Sequence, residues 1–234
     1  MSQERRSKLG HVLVVVAAAG LGATYASVLS EIGAHRGSDY GACTDGADGT
    51  VATGVDADER VTIPTEGLPH KGASANRTRV TMIECSDFQC PYSRRASKTV
   101  DELVAHNVDL AFFHVNFPLG AFEHSRLKAR AAVAAQRQGR FWSMHDALFD
   151  APIASDDDAL ALAERLGLDA RRFARDLADP ATAAEVDRQR SLCGDVGVRA
   201  VPTFFINGRR VVGSIPTDEF QQVIDEERRA ARER

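Results

Sequence analysis

Residues 86–93 read Ser-Asp-Phe-Gln-Cys-Pro-Tyr-Ser, and the interpretation of the whole chain starts from this stretch. The preceding residues, 79–85 (RVTMIEC), are short and mostly apolar, which predicts a strand. Pro91 suits the first turn of a helix, and residues 92–106 carry apolar side chains at helical spacing. Cys90 therefore stands where a strand passes into a helix. Free backbone N–H groups and the helix dipole favour a thiolate there, with a pKa of about 3.5–7.5 instead of about 8.5.

Two other parts of the chain are predicted to lie near the Cys90 sulfur. Glu84 comes six residues earlier on the strand, where alternation turns it inward and a buried carboxylate could relay protons. Val201 and Pro202 precede a late pair of strands. A cis proline at 202 would leave the backbone of Val201 free to pair with a bound peptide.

The order of predicted elements defines an α/β fold class. A strand, a helix and a second strand (108–117) are followed by a long block of helices rich in Ala, Leu and Arg. Residues 203–213 then read as a hairpin turned at Asn207-Gly208, and Thr217 is a suitable N-cap for a closing helix. This order is that of a thioredoxin-like fold with an inserted helical subdomain at about residues 120–195.

Composition excludes several classes of protein. The chain has 234 residues, 44% hydrophobic and 26% charged, with a formal net charge of −4. These values are ordinary for a globular protein, and the absence of a basic field makes nucleic acid an unsuitable partner. With four cysteines in so long a chain, a small disulfide-stapled scaffold is excluded. The histidines and cysteines show no metal-ligand spacing, so no metal and no cofactor are expected.

The N-terminus carries a predicted membrane segment. Arg5, Arg6 and Lys8 precede an uncharged, mainly apolar run over residues 9–30. A run of about 20 residues just suffices to cross a bilayer, and the flanking basic residues would stay in the cytoplasm. Residues 1–30 are therefore predicted to be a transmembrane anchor or a cleaved signal peptide, with a buried core helix as the remaining alternative.

Residues 31–77 are predicted to be a flexible linker, because they are rich in Gly, Asp, Thr and Ala and sustain no hydrophobic period. Cys43 lies in this stretch, an unusual place for a structural thiol. The folded domain is predicted over residues 78–234. This arrangement would hold the domain at a membrane, facing the periplasm or the cell exterior, or secrete it after signal cleavage.

The chain resembles the DsbA-like thioredoxin-domain family of exported thiol–disulfide oxidoreductases. The matching pieces are SDFQCPYS at 86–93, QGRFWSMHDALF at 138–149, LGLD at 166–169 and GVRAVPTFFING at 197–208, together with the FPL at 117–119 and His124. They occur in the order and at the spacing of the family and extend over about residues 78–225.

The resemblance implies roles for single residues. Cys90 would be the nucleophile that enters mixed disulfides, Pro202 the cis proline facing it, and Glu84 the buried acid that many members keep. We expect Cys90, Ser93 and Glu84 to be the catalytic residues. The predicted substrate-binding residues are Pro91, Tyr92, Val201 and Pro202, and the helical insertion would form one wall of the groove.

Ser93 departs from the family pattern, in which this fourth position of the motif is a cysteine. Without a second sulfur in the motif, Cys90 cannot store oxidising equivalents there, although it can still form a mixed disulfide. Release then requires another thiol: the substrate's own, a small thiol such as glutathione, or a partner protein. Ser93 could still donate a hydrogen bond to the thiolate and lower its pKa.

The other cysteines offer no clear replacement. A largely extended strand separates Cys85 from Cys90 by more than the distance that a disulfide spans, so a bond between them is disfavoured. Cys85 and Cys193 are expected to be buried core residues. Cys43 could reach either site on its long linker. Four cysteines allow three full pairings, and the sequence does not choose among them.

Three functional hypotheses follow. The leading one is a monothiol oxidoreductase or isomerase that acts on cysteines of exported proteins, with an unidentified thiol or redox partner for recycling. The second is a redox-inactive binding or chaperone module that lost its resolving cysteine. The third is a glutathione-using transferase, since the kappa-class enzymes share the fold. Those enzymes carry serine at the first motif position, however, where this chain has Cys90.

Overall fold

The structure is a computed structural model that describes residues 41–44 and 53–233. Eight strands lie within these residues: β1 (Cys43–Thr44), β2 (Gly54–Arg60), β3 (His70–Gly72), β4 (Val80–Ser86), β5 (Leu110–Asn116), β6 (Ala200–Val201), β7 (Thr203–Ile206) and β8 (Arg209–Val212). Seven helices lie in the same ranges: α1 (Pro91–His106), α2 (Ser125–Gln136), α3 (Phe141–Asp150), α4 (Asp156–Arg165), α5 (Ala170–Ala178), α6 (Pro180–Asp195) and α7 (Thr217–Glu233).

Six strands form one mixed sheet in the order β2-β8-β7-β4-β5-β3, and β1 pairs separately with β6. β4 runs parallel to β5, with Val80 opposite Leu110, and antiparallel to β7 on its other side. β4 is thus an interior strand, which explains why its sequence is mostly apolar. It leads directly into the turn that carries Cys90.

The strand–helix–strand unit predicted around Cys90 is present as β4, α1 and β5. The late hairpin is also confirmed, because β7 and β8 are joined at Asn207 and Gly208. Both turn residues have positive φ angles, 47° and 89°, which is the reason that an Asn-Gly pair suits this position. The thioredoxin-like fold class follows from these elements together.

The prediction of a flexible linker over residues 31–77 is wrong for three described segments, because β1, β2 and β3 are all paired strands. β2 pairs with β8 at one edge of the sheet, and β3 pairs with β5 at the other. The sequence of β2, GVDADER, has no apolar period because an edge strand with charged side chains does not need two buried faces. β3 has only three residues, too few to show a period.

Buried side chains lie on both faces of the sheet. On one face, Val80 and Met82 of β4 pack with residues of α1 and α7 such as Val100 and Phe220. Ile83 and Cys85 alternate with them and belong to a different cluster, which contains Cys90, Val201 and Cys193. Successive side chains of β4 therefore point to two separate parts of the core. Cys90 belongs to the same part as Cys85.

The inserted helical subdomain consists of α2 to α6, over residues 125–195. It has its own core, formed by aromatic and aliphatic side chains such as Phe141, Met144 and Phe173. Small alanines of α2, among them Ala131 and Ala135, are fully buried and allow close helix packing.

The predicted membrane segment at residues 9–30 lies outside the described residues. Among residues 41–44 and 53–233, none of the helices combines the length and apolar character needed to cross a membrane.

Candidate active site around Cys90

Cys90 is the N-cap residue of α1, and Pro91 is the first residue of the helix, as predicted. The Cys90 carbonyl accepts the first helical hydrogen bond, from the Arg94 N–H at 3.0 Å. No side chain caps this helix end, and no acidic residue lies in its first turn. The positive end of the helix dipole therefore acts on the Cys90 sulfur without a competing carboxylate from the helix.

The Val201–Pro202 peptide bond is cis, and it lies against the Cys90 side chain. The Sγ atom of Cys90 is 3.4 Å from the carbonyl oxygen of Val201. Two segments 111 residues apart in the sequence thus meet at the sulfur, as the sequence predicted for Cys90 and Pro202.

A third segment also meets there, because Cys90 forms a disulfide with Cys43. The two Cα atoms are 6.0 Å apart, within the usual range. β1 carries Cys43 and pairs antiparallel with β6, with Cys43 opposite Val201 and Thr44 opposite Ala200. The backbone edge that the sequence assigned to a bound peptide is therefore occupied by the chain's own β1.

Residues beside Cys43 add two further contacts. The carbonyl of Gly41 accepts a hydrogen bond from the Ser214 N–H at 2.9 Å. The Tyr92 ring lies so close to Gly41 that a Cβ atom on residue 41 would be 2.6 Å from Cζ of the tyrosine. Tyr92, a predicted substrate-binding residue, thus packs against the segment before β1, at the edge where the sequence predicted a bound peptide.

The disulfide with Cys43 is one of the cysteine pairings that the sequence left open. Cys90 is only 1% exposed, whereas the exchange chemistry predicted for it requires access to another sulfur. Its bonding partner is less buried, since Cys43 is partly exposed. Cys90 is thus buried in the state in which it is bonded to Cys43.

Asp87 anchors the turn that carries Cys90, a role that sequence reasoning missed. Its buried carboxylate accepts hydrogen bonds from the Leu119 N–H (2.7 Å), the Gln89 N–H (2.8 Å) and the Ser125 hydroxyl (2.6 Å). Burial raises the pKa of this carboxyl, opposed by these hydrogen bonds. Asp87 thereby ties the turn to the loop after β5 and to the first residue of α2. The sequence signal was an aspartate at the start of the strand-to-helix turn, where its side chain can accept the N–H two residues further on.

Ser93 is fully buried in the first turn of α1. Its hydroxyl oxygen accepts a hydrogen bond from the Asp87 N–H at 3.5 Å. The contact therefore joins the helix to the preceding turn, and an effect of Ser93 on the Cys90 thiol stays a prediction.

Glu84 is fully buried on β4, between His114 of β5 and Phe204 of β7. Burial raises its pKa to about 8, because an apolar environment disfavours the charged form. Neither carboxylate oxygen has a hydrogen-bond partner among the described residues. Glu84 alternates with Cys85, and so its side chain lies on the opposite face of β4 from the cluster that contains Cys90.

Two buried histidines form an aromatic group next to this acid, and neither was among the predicted site residues. The rings of His114 and His145 are 4.9 Å apart, and Phe88 of the motif stacks on His114 at 5.4 Å. Burial lowers the pKa of His145 and lowers that of His114 still further, so both rings are neutral at pH 7. Phe88 of the motif therefore packs against two uncharged histidine rings.

Cys85 and Cys193 are buried core residues, as expected, but they are bonded to each other. Both are fully buried, and 108 residues separate them in the sequence. This disulfide connects interior strand β4 to the last turns of α6. Among the three possible pairings, the structure thus has Cys43 with Cys90 and Cys85 with Cys193.

A cysteine at the start of a helix, facing a cis proline in a thioredoxin-like fold, defines the class of thiol–disulfide oxidoreductases. A family model described as DSBA-like thioredoxin domain matches residues 81–225, which include both features. The chain belongs to this family.

Individual relatives agree on the fold. A thioredoxin-like oxidoreductase from Silicibacter pomeroyi DSS-3 is 28% identical, with a TM-score of 0.62 over 70% of this chain and 94% of that one. Oxidised BdbD from Bacillus subtilis has a TM-score of 0.64 at 21% identity, over 73% of this chain and 98% of that one.

A curated relative of a different name also matches. The Na(+)/H(+) antiporter NhaA of Herminiimonas arsenicoxydans is 36% identical over 156 residues, which are 66% of this chain. The chain spans about a quarter of that antiporter's length, 25%.

Proposed function

We propose that this chain is a thiol–disulfide oxidoreductase in which Cys90 is the sulfur that attacks and forms mixed disulfides. The observation that carries the proposal is the position of the Cys90 sulfur, at the start of α1 and 3.4 Å from the Val201 carbonyl next to cis Pro202. Family membership supports the same reaction class.

The first step is a thiol–disulfide exchange. The Cys90 thiolate attacks one sulfur of a substrate disulfide, a bond forms between these two sulfurs, and the original disulfide breaks. The departing substrate sulfur leaves as a thiolate and takes a proton from solvent. Ser93 and the α1 N-terminus would favour the attacking thiolate, and the Val201 backbone edge would hold the substrate as an added strand. The exchange takes place between sulfurs, so no metal or cofactor is part of it.

The substrates that we propose are cysteine-containing proteins outside the cytoplasm. Two disulfides in one chain are typical of an oxidising compartment. The basic residues before the apolar run at 9–30 support export, with that run as a membrane tether or a cleaved signal. Recycling of Cys90 needs a second thiol or a redox partner.

The match to an antiporter is no evidence that this chain transports ions. The match covers a quarter of that protein, and ion transport belongs to the protein as a whole. We therefore do not assign transport to this chain.

The proposal is tested by measuring the reactivity of Cys90 in the reduced full-length chain. We expect the pH dependence of Cys90 alkylation, followed by peptide mass, to give a pKa well below 8.5. In the Cys43→Ser variant, where Cys43 cannot release the bound protein, Cys90 should be trapped with proteins from a reduced extract after mild oxidation. Cys90→Ala should remove the trapped species completely. An alkylation pKa of 8.5 or more, with no trapped species, would contradict the proposal.

A second candidate function is a binding module without redox cycling. Two observations favour it: the motif has serine at position 93, and Cys90 is 1% exposed. Cys90→Ala distinguishes the two functions, because a binding module would keep its cellular phenotype and its capture of unfolded clients after this substitution.

A further inference from the structure

We propose that Cys43 is the resolving cysteine for Cys90, and that β1 delivers it along the backbone edge at which the substrate binds. The inference rests on the proposed function of Cys90. It replaces the missing cysteine of the motif with a sulfur from outside the motif, and so changes a monothiol site into a dithiol site.

The cysteine inventory leaves one candidate. The chain has four cysteines. Cys85 and Cys193 are fully buried and bonded to each other. Cys43 is the fourth, it is partly exposed, and it is bonded to Cys90. The sulfur that position 93 lacks is therefore supplied by Cys43.

The manner in which Cys43 reaches Cys90 resembles substrate binding. Extended peptides bind to sheet edges through main-chain pairing, and β1 pairs in this way with β6. Its register places Cys43 opposite Val201, the residue before cis Pro202. A substrate cysteine that pairs with the same residue would bring its sulfur to the same place, because register fixes the side-chain position.

The contacts of Gly41 extend this docking beyond the disulfide. Its carbonyl accepts a hydrogen bond from the Ser214 N–H, and a Cβ atom on this residue would lie 2.6 Å from Cζ of Tyr92 unless that ring moved. The segment around Cys43 is thus held by backbone pairing, by an aromatic contact and by a hydrogen bond. A disulfide between Cys43 and Cys90 would not by itself require these additional contacts.

The complete exchange is balanced. Cys90 first attacks a substrate disulfide and releases one substrate thiol, which leaves a mixed disulfide. The Cys43 thiolate then attacks the Cys90 Sγ atom, the Cys43–Cys90 bond forms, and the second substrate cysteine leaves as a thiol. The substrate disulfide is reduced by two electrons, and the Cys43–Cys90 dithiol is oxidised by two. The reverse sequence oxidises a substrate dithiol.

β1 and the substrate strand compete for the same backbone edge at Val201. Resolution of the mixed disulfide by Cys43 is therefore coupled to release of the product. β1 and the substrate strand cannot both pair with Val201. When Cys43 attacks Cys90, β1 takes the edge and the product loses both its covalent bond and its strand pairing. A small thiol from solution would break only the covalent bond.

The test uses the full-length chain with the Cys43–Cys90 pair reduced and the Cys85–Cys193 pair intact, as checked by peptide mass. The probe is a symmetric disulfide of a short cysteine-containing peptide, at about 10 µM. The wild-type chain should release two peptide thiols per chain and keep no adduct. Cys43→Ser should release one and retain one peptide on Cys90. An effective concentration near 1 mM for Cys43 predicts resolution about 100-fold faster than by the released peptide.

Gly41→Ala is a second variant that keeps both sulfurs. The added methyl group displaces the Tyr92 ring or β1, and resolution should slow several-fold. Gly194→Ala is the matched control, because nothing lies within 4 Å of a Cβ atom at that position.

The outcomes separate this inference from the proposed function. If neither chain forms an adduct or releases thiol, Cys90 does not exchange and both proposals fail. If the wild-type chain keeps its adduct as long as Cys43→Ser does, Cys90 exchanges but Cys43 is not its resolving partner. Faster overall turnover of Cys43→Ser would show that β1 blocks the access of substrate to Cys90, and would also overturn the inference.

Discussion

The two disulfides of this protein have similar spans but different surroundings. Their Cα separations are 6.0 Å for Cys43–Cys90 and 6.2 Å for Cys85–Cys193. Both core cysteines are fully buried, and they join an interior strand to a helix. Cys43 is partly exposed on a strand of two residues. Separation of Cys43 from Cys90 requires that a short edge segment move, whereas access to the core pair requires that the fold open.

This difference fits the separate tasks that we propose, which are exchange for Cys43–Cys90 and stabilisation for Cys85–Cys193. Sulfurs that exchange need a low-cost opening and a position where a thiolate is favoured, and Cys90 at the start of α1 has both. Sulfurs that stabilise need burial and a long closed loop, and the core pair closes 108 residues.

Removal of the core disulfide, Cys85–Cys193, should have the largest effect on stability. Cys85→Ala/Cys193→Ala should lower the free energy of unfolding by about 3–5 kcal/mol, because the closed loop no longer restricts the unfolded chain. Urea denaturation followed by circular dichroism measures this loss. The exposed control Val108→Ala should change stability by less than about 0.5 kcal/mol.

The same double variant should still form the mixed disulfide at Cys90. If its stability were unchanged, or if exchange at Cys90 disappeared from a folded protein, the division of tasks between the two bonds would be wrong.

Glu84, on the opposite face of β4 from Cys85, should make stability depend on pH. Its pKa is about 8 in the folded chain, above the unfolded value near 4.3, so the folded state holds a proton that the unfolded state releases. The contribution of this carboxyl to stability is therefore greatest below about pH 4.3 and falls as the pH rises toward 8. Between pH 5 and pH 7 this single group should lower the free energy of unfolding by about 3 kcal/mol.

Glu84→Gln removes the titration and should flatten that part of the pH profile. Urea midpoints of the wild-type and variant chains at a series of pH values measure the difference. A variant with the same slope as the wild type would show that the carboxyl is charged when folded.

Local chemistry explains what the sequence could predict. Pro91 after Cys90 marks a helix start, Asn207-Gly208 marks a tight hairpin, and the alternation of β4 indicates a buried Glu84. Each of these signals lies within a few residues of the feature that it predicts. The thioredoxin-like order of elements followed from them.

Long-range pairing explains what the sequence could not predict. β2 and β3 lie at sheet edges, where polar or very short strands leave no hydrophobic period. The Cys43–Cys90 bond depends on the register between β1 and β6, set by elements more than 150 residues apart. The Cys85–Cys193 bond depends on how α6 packs on the sheet. None of these pairings can be inferred from the spacing of residues along the sequence.

The most direct test of the central claim is graded reduction of the native full-length chain, with alkylation and peptide mass at each step. We expect Cys43 and Cys90 to become alkylated together while Cys85–Cys193 stays closed. An additional opening cost of about 3 kcal/mol for the core pair corresponds to reduction about 100-fold slower. If both bonds opened together, or if the core pair opened first, Cys43–Cys90 would not be the exchanging disulfide.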